Sequence, residues 1–171
     1  LCTDSTAGVT HYIYFYRSTN SGLTWTGVGG LQGTGTFSSV SMSVDRKGSA
    51  NDSIRISCYY TYGSGGDGND AGLYLFSFRP RTWNDDYRFH TLATPPAGRK
   101  FCYVSAVSDG WYYDASTYIG CVAGEYSNNG DSCKTMQLFR STNWGLAHTG
   151  VTLSGVYTGY WGDFYPSACF K

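Results

Sequence analysis

Three segments of the chain resemble one another, and this internal repeat constrains the fold more than any other feature of the sequence. The segments align without gaps and cover residues 16–25, 78–87 and 139–148. Each has an arginine at the same position, at spacings of 62 and 61 residues: Arg17, Arg79 and Arg140. Self-similarity at a fixed period is typical of chains in which one supersecondary unit is repeated. We therefore expect a single domain, 1–171, made of three similar units.

Alternation of polar and apolar residues, with many β-branched and aromatic side chains, predicts four strands in each unit. The second and third units have them at 37–44, 54–60, 72–79, 87–92, and at 101–107, 118–123, 135–140, 147–153. The first unit has predicted strands at 1–3, 11–17 and 24–28, and the strand at 163–170 completes it from the far end of the chain. The three units are then approximately 1–30 with 157–171, 31–96, and 97–156. The chain has one Glu and few helix formers, so the predicted fold class is all-β with antiparallel strands.

The repeated segment itself has the composition of a tight turn. Gly22 and Gly145 occupy one position, and Asn84 replaces them in the middle copy. Asn is the non-glycine residue that best tolerates a positive φ, so the substitution fits a turn that needs this conformation.

The first copy, Ser18-Thr19-Asn20-Ser21-Gly22-Leu23-Thr24-Trp25, resembles the Asp box of the bacterial neuraminidase repeats. The resemblance implies a β-propeller-type fold of three blade-like repeats, in which the box links the third and fourth strands of each blade. It departs from the family pattern, because Asn20 and Asn143 stand where Asp is usual and His148 replaces the Trp. Asn can cap local backbone amides much as Asp does, so we expect the turn to form.

We interpret the residues of this turn as structural rather than catalytic. Small polar residues and Gly fold the turn, and Trp25 is expected to pack into the blade. The three arginines occupy equivalent repeat positions, which indicates equivalent structural roles. The structural set is Arg17, Asn20, Gly22, Trp25, Arg79, Asn84, Arg140, Asn143 and Gly145.

Six cysteines, an even number, indicate three disulfides in an oxidising compartment rather than a zinc site, because no C-x-x-C pair is present. From the predicted strands we expect the pairs Cys2–Cys169, Cys121–Cys133 and Cys58–Cys102. A glycosylation sequon at Asn51 also fits a secreted, extracellular protein.

Charge and carboxylates argue against several functions. Twelve basic and twelve acidic residues cancel, so no nucleic-acid partner is expected, and no apolar run suits membrane insertion. The one Glu, Glu125, is predicted to lie in a hairpin loop, and we assign no catalytic residue, cofactor or metal. Calcium at residues 66–70 is a weaker alternative.

Aromatic residues remain as candidates for ligand or interface contacts, with burial between sheets as the alternative: Trp111, Tyr112, Tyr160 and Trp161. We expect a non-catalytic module that binds glycans, associates with copies of itself, or does both. Three blades are too few for one familiar propeller, so two chains forming a ring or many forming a fibre are both open. A structural subunit of an extracellular filament and a fragment of a sialidase-type glycoside hydrolase are the alternative functions.

Overall fold

The computed structural model of the protein describes residues 2–5, 10–46, 54–63, 70–79, 87–108, 119–128, 133–141 and 147–153. In these residues the chain is all-β, with eleven strands and no helix. Every strand pairing among them is antiparallel. The all-β antiparallel fold class predicted from the sequence is therefore confirmed. No helix in this part of the chain is long and apolar enough to cross a membrane.

The first sheet has three described strands that follow one another in space as in sequence. They are β1 (Cys2–Ser5), β2 (His11–Arg17) and β3 (Thr26–Gly33). The strand predicted at 163–170, which would complete this sheet, lies outside the described residues, and so does the chain end that carries it.

The second and third sheets each have four strands in sequence order. The second consists of β4 (Thr36–Arg46), β5 (Ile54–Gly63), β6 (Gly72–Phe78) and β7 (Tyr87–Ala93). The third consists of β8 (Arg99–Ser108), β9 (Ile119–Ser127), β10 (Cys133–Ser141) and β11 (Thr149–Thr152). The four-stranded order predicted for both repeats is confirmed, although β5 and β9 extend beyond their predicted ends.

The second sheet lies between the other two, because both of its faces are apolar. Successive strand residues point to opposite faces, so Phe76 and Phe78 pack against the first sheet while Leu73 and Leu75 pack against the third. The first sheet contributes Ile13 and Phe15 to its interface. The third sheet contributes Phe101, Val104, Cys121, Ala123 and Phe139 to the other. The described residues thus form a stack of three sheets.

Serine side chains join the second and third sheets along their first strands. Ser39 and Ser41 on β4 accept hydrogen bonds from the backbone N–H groups of Val104 and Ala106 on β8, each at 2.9 Å. A bulge in β8 beside Tyr103, whose φ is 53°, interrupts its pairing with β9 at this point. A bulge leaves strand residues unpaired, and the two hydroxyls satisfy the N–H groups that face β4.

A polar contact fixes the two sheets at another corner. The Asp70 carboxylate accepts hydrogen bonds from the Gly98 N–H at 3.2 Å and from the Asn128 side chain at 3.0 Å. Asn128 in turn accepts one from the Asp70 N–H at 3.1 Å. Next to them, the Phe101 N–H donates to the Ala71 carbonyl at 2.9 Å. Asp70 is therefore part of the sheet-to-sheet contact.

Candidate functional site

The outer face of the first sheet carries a row of tyrosines, which we call the tyrosine face. Strand β2 alternates between Ile13 and Phe15, which are buried against the second sheet, and Tyr12, Tyr14 and Tyr16 on the opposite side. Because successive side chains of a β-strand point to opposite faces of the sheet, the two sets lie on different faces. None of the three tyrosines belongs to the apolar clusters that join the described sheets.

The rings of the tyrosine face form a stepped row. The Tyr12 and Tyr14 rings are nearly parallel, with centroids 5.2 Å apart, and the Tyr14 and Tyr16 centroids are 6.5 Å apart. Glycines on β3 oppose them: Gly30 pairs with Tyr14, and Gly27 pairs with Tyr16. A Cβ atom at Gly30 would lie only 2.8 Å from the Ile13 carbonyl oxygen and 3.4 Å from the Tyr14 ring. The close approach of strand and ring therefore requires glycine at this position.

The repeat shows what this face does in the other two sheets. The residue before each repeat arginine is Tyr16, Phe78 or Phe139, and the three are equivalent in the alignment. Phe78 is 2% exposed and Phe139 is 4% exposed, whereas Tyr16 is 46% exposed. The same backbone position is therefore core in two sheets and surface in the first.

The covering element is in both cases the preceding sheet. Phe78 packs on Phe15 of the first sheet, with ring centroids 5.1 Å apart, and Phe139 belongs to the cluster that contains Leu73 and Leu75 of the second sheet. Within the described part of the chain, no sheet precedes the first one. Its tyrosine face is thus the counterpart of a sheet-docking face.

The box-like turn forms as predicted at its first copy. The Ser18 hydroxyl accepts hydrogen bonds from the N–H groups of Asn20 at 3.3 Å and Gly22 at 2.8 Å. The Asn20 side-chain oxygen accepts one from the Thr24 N–H at 2.9 Å, as an aspartate would, and its amide donates to the Thr24 hydroxyl at 2.8 Å. Gly22 has a φ of 88°, which explains the glycine. The prediction that Asn20 caps this turn is confirmed.

The expected packing of Trp25 into the sheet is wrong. The residue is 62% exposed, and its indole N–H donates to the Gly22 carbonyl at 3.1 Å. The ring therefore covers the turn itself instead of the inter-sheet core. It directly precedes β3, which starts at Thr26, so its position belongs to the turn rather than to the strand.

The repeat arginines lie at or next to the end of the strand that precedes the repeated turn in each unit. Arg17 ends β2, Arg79 directly follows β6, and Arg140 is the penultimate residue of β10. All three are exposed. They lie on three different sheets, as expected if each arginine has the same structural role in its own repeat. The other turn residues, Asn84, Asn143 and Gly145, lie outside the described residues.

Glu125 lies in a strand, and the predicted hairpin loop is wrong. It is part of β9 and is 4% exposed, on the face that meets the second sheet. The Arg99 guanidinium donates to one carboxylate oxygen at 2.6 Å, while Thr135 and Gln137 donate to the other at 3.1 and 2.9 Å. A buried carboxylate needs such partners to offset its desolvation. The sequence could not show them, because they come from two other strands.

Two predicted disulfides are wrong, because Cys58, Cys102, Cys121 and Cys133 have free thiols. Cys133 is paired with Tyr126, five residues from Cys121 along β9. That separation is roughly 17 Å at the rise of a strand, whereas a disulfide needs Cα atoms within about 7 Å of each other. The sequence reasoning placed both cysteines on adjacent strands but could not fix their register.

The pair Cys58–Cys102 fails for a different reason. Cys58 is buried between the first and second sheets, whereas Cys102 packs beside Tyr126 on the far face of the third. Burial raises the pKa of the Cys58 thiol to about 12 and that of Cys121 well above its usual range, so both are unreactive core thiols. The pair Cys2–Cys169 involves a residue outside the described part of the chain and stays a prediction.

Two histidines that look unrelated in the sequence meet at the interface of the second and third sheets. His148, in the position of the box Trp, has its Nε2 atom 3.4 Å from the Tyr59 hydroxyl, and the two rings are nearly perpendicular. Burial and the nearby His90 lower the pKa of His148 to about 4. The Nε2 atom of His90 is buried without a hydrogen-bond partner in the described structure. The alignment of His148 with Trp25 was the one sequence signal for this contact.

The aromatic residues singled out from the sequence, Trp111, Tyr112, Tyr160 and Trp161, lie outside the described residues, as does Asn51. Sequence reasoning missed the tyrosine face, although the segment His11-Tyr-Ile-Tyr-Phe-Tyr16 shows the alternation. Among the described residues, no group of three or more His, Cys, Asp or Glu side chains could hold a metal ion. Comparison with protein-family models, with curated proteins and with solved structures gave no match.

Proposed function

We propose that the protein is a non-catalytic extracellular β-repeat module that works by associating with copies of itself through the tyrosine face. One observation carries this proposal: Tyr16 is 46% exposed at the repeat position where Phe78 and Phe139 are buried by a neighbouring sheet. Exposed apolar patches on a sheet mark interaction sites, and on this face the exposed ring of Tyr16 lies next to the half-buried rings of Tyr12 and Tyr14. Tyrosine suits such a site, because its ring is apolar and its hydroxyl tolerates water.

The non-catalytic part of the proposal is supported by the state of the carboxylates. Glycoside hydrolysis commonly needs two carboxyl groups facing a cleft. Glu125 has both oxygens occupied by three donors, and Asp70 is bonded to Gly98 and Asn128 at the sheet-to-sheet contact. These are the two carboxylates whose side chains the structure describes, and both act as structural links.

The blade-like, propeller-type architecture is part of the same proposal. It is supported by the up-and-down strand order of the second and third sheets and by the box-like turn between β2 and β3. The strand proposed at 163–170 would give the first sheet the same four strands. The extracellular location rests on Asn51 and on the pair Cys2–Cys169, and stays a prediction.

Glycan binding on the same face is the second candidate function. The observation in its favour is that tyrosine replaces phenylalanine at two equivalent positions, Tyr14 for Phe76 and Tyr16 for Phe78. The hydroxyls add hydrogen-bonding groups to rings that can stack on sugars. Trp111, Tyr112, Tyr160 and Trp161 would extend such a surface if they lie near it.

The proposal is tested by measuring the mass of the native protein by light scattering over a range of concentrations, together with a glycan array. We expect wild type to associate and Tyr16→Ala to be monomeric. Phe89→Ala is the matched control, because Phe89 is an aromatic residue of similar exposure on the second sheet. A monomeric wild type that binds glycans through Tyr16 would replace self-association by the second candidate.

A further inference from the structure

A row of serines on β4 faces the third sheet, and two of its members are already used as hydrogen-bond acceptors. Ser39 and Ser41 accept the N–H groups of Val104 and Ala106, each at 2.9 Å. Because side chains two residues apart in a strand lie on the same face, Ser43 continues this row. Ser43 is 9% exposed, and its hydroxyl has no hydrogen-bond partner in the described structure. The row therefore ends on a buried polar group that protein atoms leave unpaired.

A second unpaired hydroxyl, that of Ser57, lies opposite the first. Ser43 and Ser57 pair across β4 and β5, so their side chains share one face of the sheet. Ser57 is 0% exposed, and its hydroxyl also has no partner among the described residues. Tyr59, two residues along β5, packs into the apolar cluster between the second and third sheets, which places Ser57 at the same interface. Because nearly all buried polar side chains are hydrogen-bonded, two adjacent ones without a partner require an explanation.

The spacing of the two serines fits one small bridging molecule. The Cβ atoms of directly opposed strand residues lie about 4.5–5.5 Å apart, and the two hydroxyls do not bond to each other. A water at about 2.8 Å from each hydroxyl oxygen spans a gap of that size. Ser77, opposite Ser57 on β6 and also 0% exposed, brings a third hydroxyl close to this position. Buried waters in proteins typically bond to two to four polar groups in this way.

We infer that Ser43 and Ser57 hold an ordered internal water between the second and third sheets. This water continues, through a bridge, the contact that Ser39 and Ser41 make directly. The residues paired with the two serines are uncharged, so the site suits a neutral molecule better than an ion. The site lies away from the tyrosine face, and the inference is independent of the proposed self-association.

Magnetisation transfer from water to backbone amides, measured by NMR on the full chain, tests the site directly. Wild type should show transfer from a long-lived water to the amide protons of Ser43 and Ser57. Ser57→Ala should abolish both signals, because one hydroxyl alone does not hold the water. Ser39→Ala is the matched control, since it removes a hydroxyl of the same row that bonds directly to the backbone of β8, and it should leave both signals in place.

Thermal unfolding gives a second readout. Ser43→Ala and Ser57→Ala should each lower the Tm by about 2–4 °C. The double variant should lower it no further, because both changes remove the same water, whereas Ser39→Ala and Ser57→Ala should add. Wild type without a long-lived water at these amides, or alanine variants that raise the Tm, would overturn the inference, because the hydroxyls would then be buried dry. Additive losses for Ser43→Ala and Ser57→Ala would also overturn it, because each hydroxyl would then have its own partner.

Discussion

Tyr16 and Phe78 occupy the same position in two copies of one repeat, but their environments are opposite. Phe78 is covered by Phe15 of the preceding sheet, whereas no described sheet covers Tyr16. The two side chains differ only by the hydroxyl group, which prefers contact with water or a polar partner. The comparison teaches that the repeat determines where a residue lies in its sheet. Whether its side chain is buried in the core or exposed for association depends on whether another sheet packs against that face.

The largest effect is expected on the buried side of this comparison. Phe78→Ala should lower the free energy of unfolding by about 3–5 kcal/mol, because it removes a buried ring and leaves a cavity. Chemical denaturation measures this change. Tyr16→Ala, studied below the concentration at which copies associate, should lower it by less than about 1 kcal/mol. Equal losses in the two variants would mean that Tyr16 is also core, and would break the comparison.

Low pH should destabilise the interface between the second and third sheets, where His148 contacts Tyr59. The pKa of His148 is about 4 in the folded chain, below its ordinary value of 6.5. The unfolded chain therefore binds more protons between these values, and stability falls as the pH is lowered from about 6.5 to 4. Because His148 is only partly buried, solvent screens the effect, and the loss should be about 2–3 kcal/mol.

His148→Phe keeps a ring beside Tyr59 but cannot be protonated, so unfolding of this variant should depend less on pH across that window. His11→Gln, on the first sheet, is the control and should follow wild type. A pH dependence unchanged in His148→Phe would assign the acid sensitivity to another group.

The contact between Arg99 and Glu125 should matter less, since Arg99 is partly exposed. Arg99→Ala removes the partner of a buried carboxylate but leaves the hydrogen bonds from Thr135 and Gln137. We expect a loss of about 2 kcal/mol in the free energy of unfolding. Lys134→Ala, an exposed residue on β10, is the control. A loss no larger than in the control would show that water replaces the guanidinium at little cost.

The smallest effect is expected at the box-like turn. Asn20→Ala removes the acceptor of the Thr24 N–H and should cost about 1 kcal/mol of stability. Asn20→Asp keeps that acceptor, so its stability should be close to that of wild type. Thermal unfolding of the two variants side by side checks this. An aspartate variant as unstable as the alanine variant would show that the amide N–H₂ group, and not the oxygen, holds the turn.

Strand positions and the turn could be predicted from the sequence because both depend on local patterns. Alternation placed β2 and β6 correctly, and the turn chemistry of Ser18 to Thr24 identified the role of Asn20. Such features depend on neighbours within a few residues, which a single sequence displays.

The wrong predictions all depended on how strands pair with one another or on which sheet faces pack together. The sequence correctly predicted that Cys121 and Cys133 lie on adjacent strands. A disulfide between them also depends on which residues of the two strands face each other, and a register shift of one residue changes every such pair. Glu125 in its polar neighbourhood resembled a loop residue, because Arg99 is close to it only through strand pairing. The tyrosine face went unrecognised because its exposure follows from the order of the stack, which no local pattern contains.

Hydroxyl-radical footprinting of Tyr16 at low and high protein concentration tests the central claim most directly. If copies meet through the tyrosine face, labelling of Tyr16 should fall several-fold over the concentration range in which the mass rises, while labelling of the similarly exposed Phe89 stays constant. Labelling of Tyr16 that is independent of concentration, or that changes in parallel with Phe89, would contradict the account.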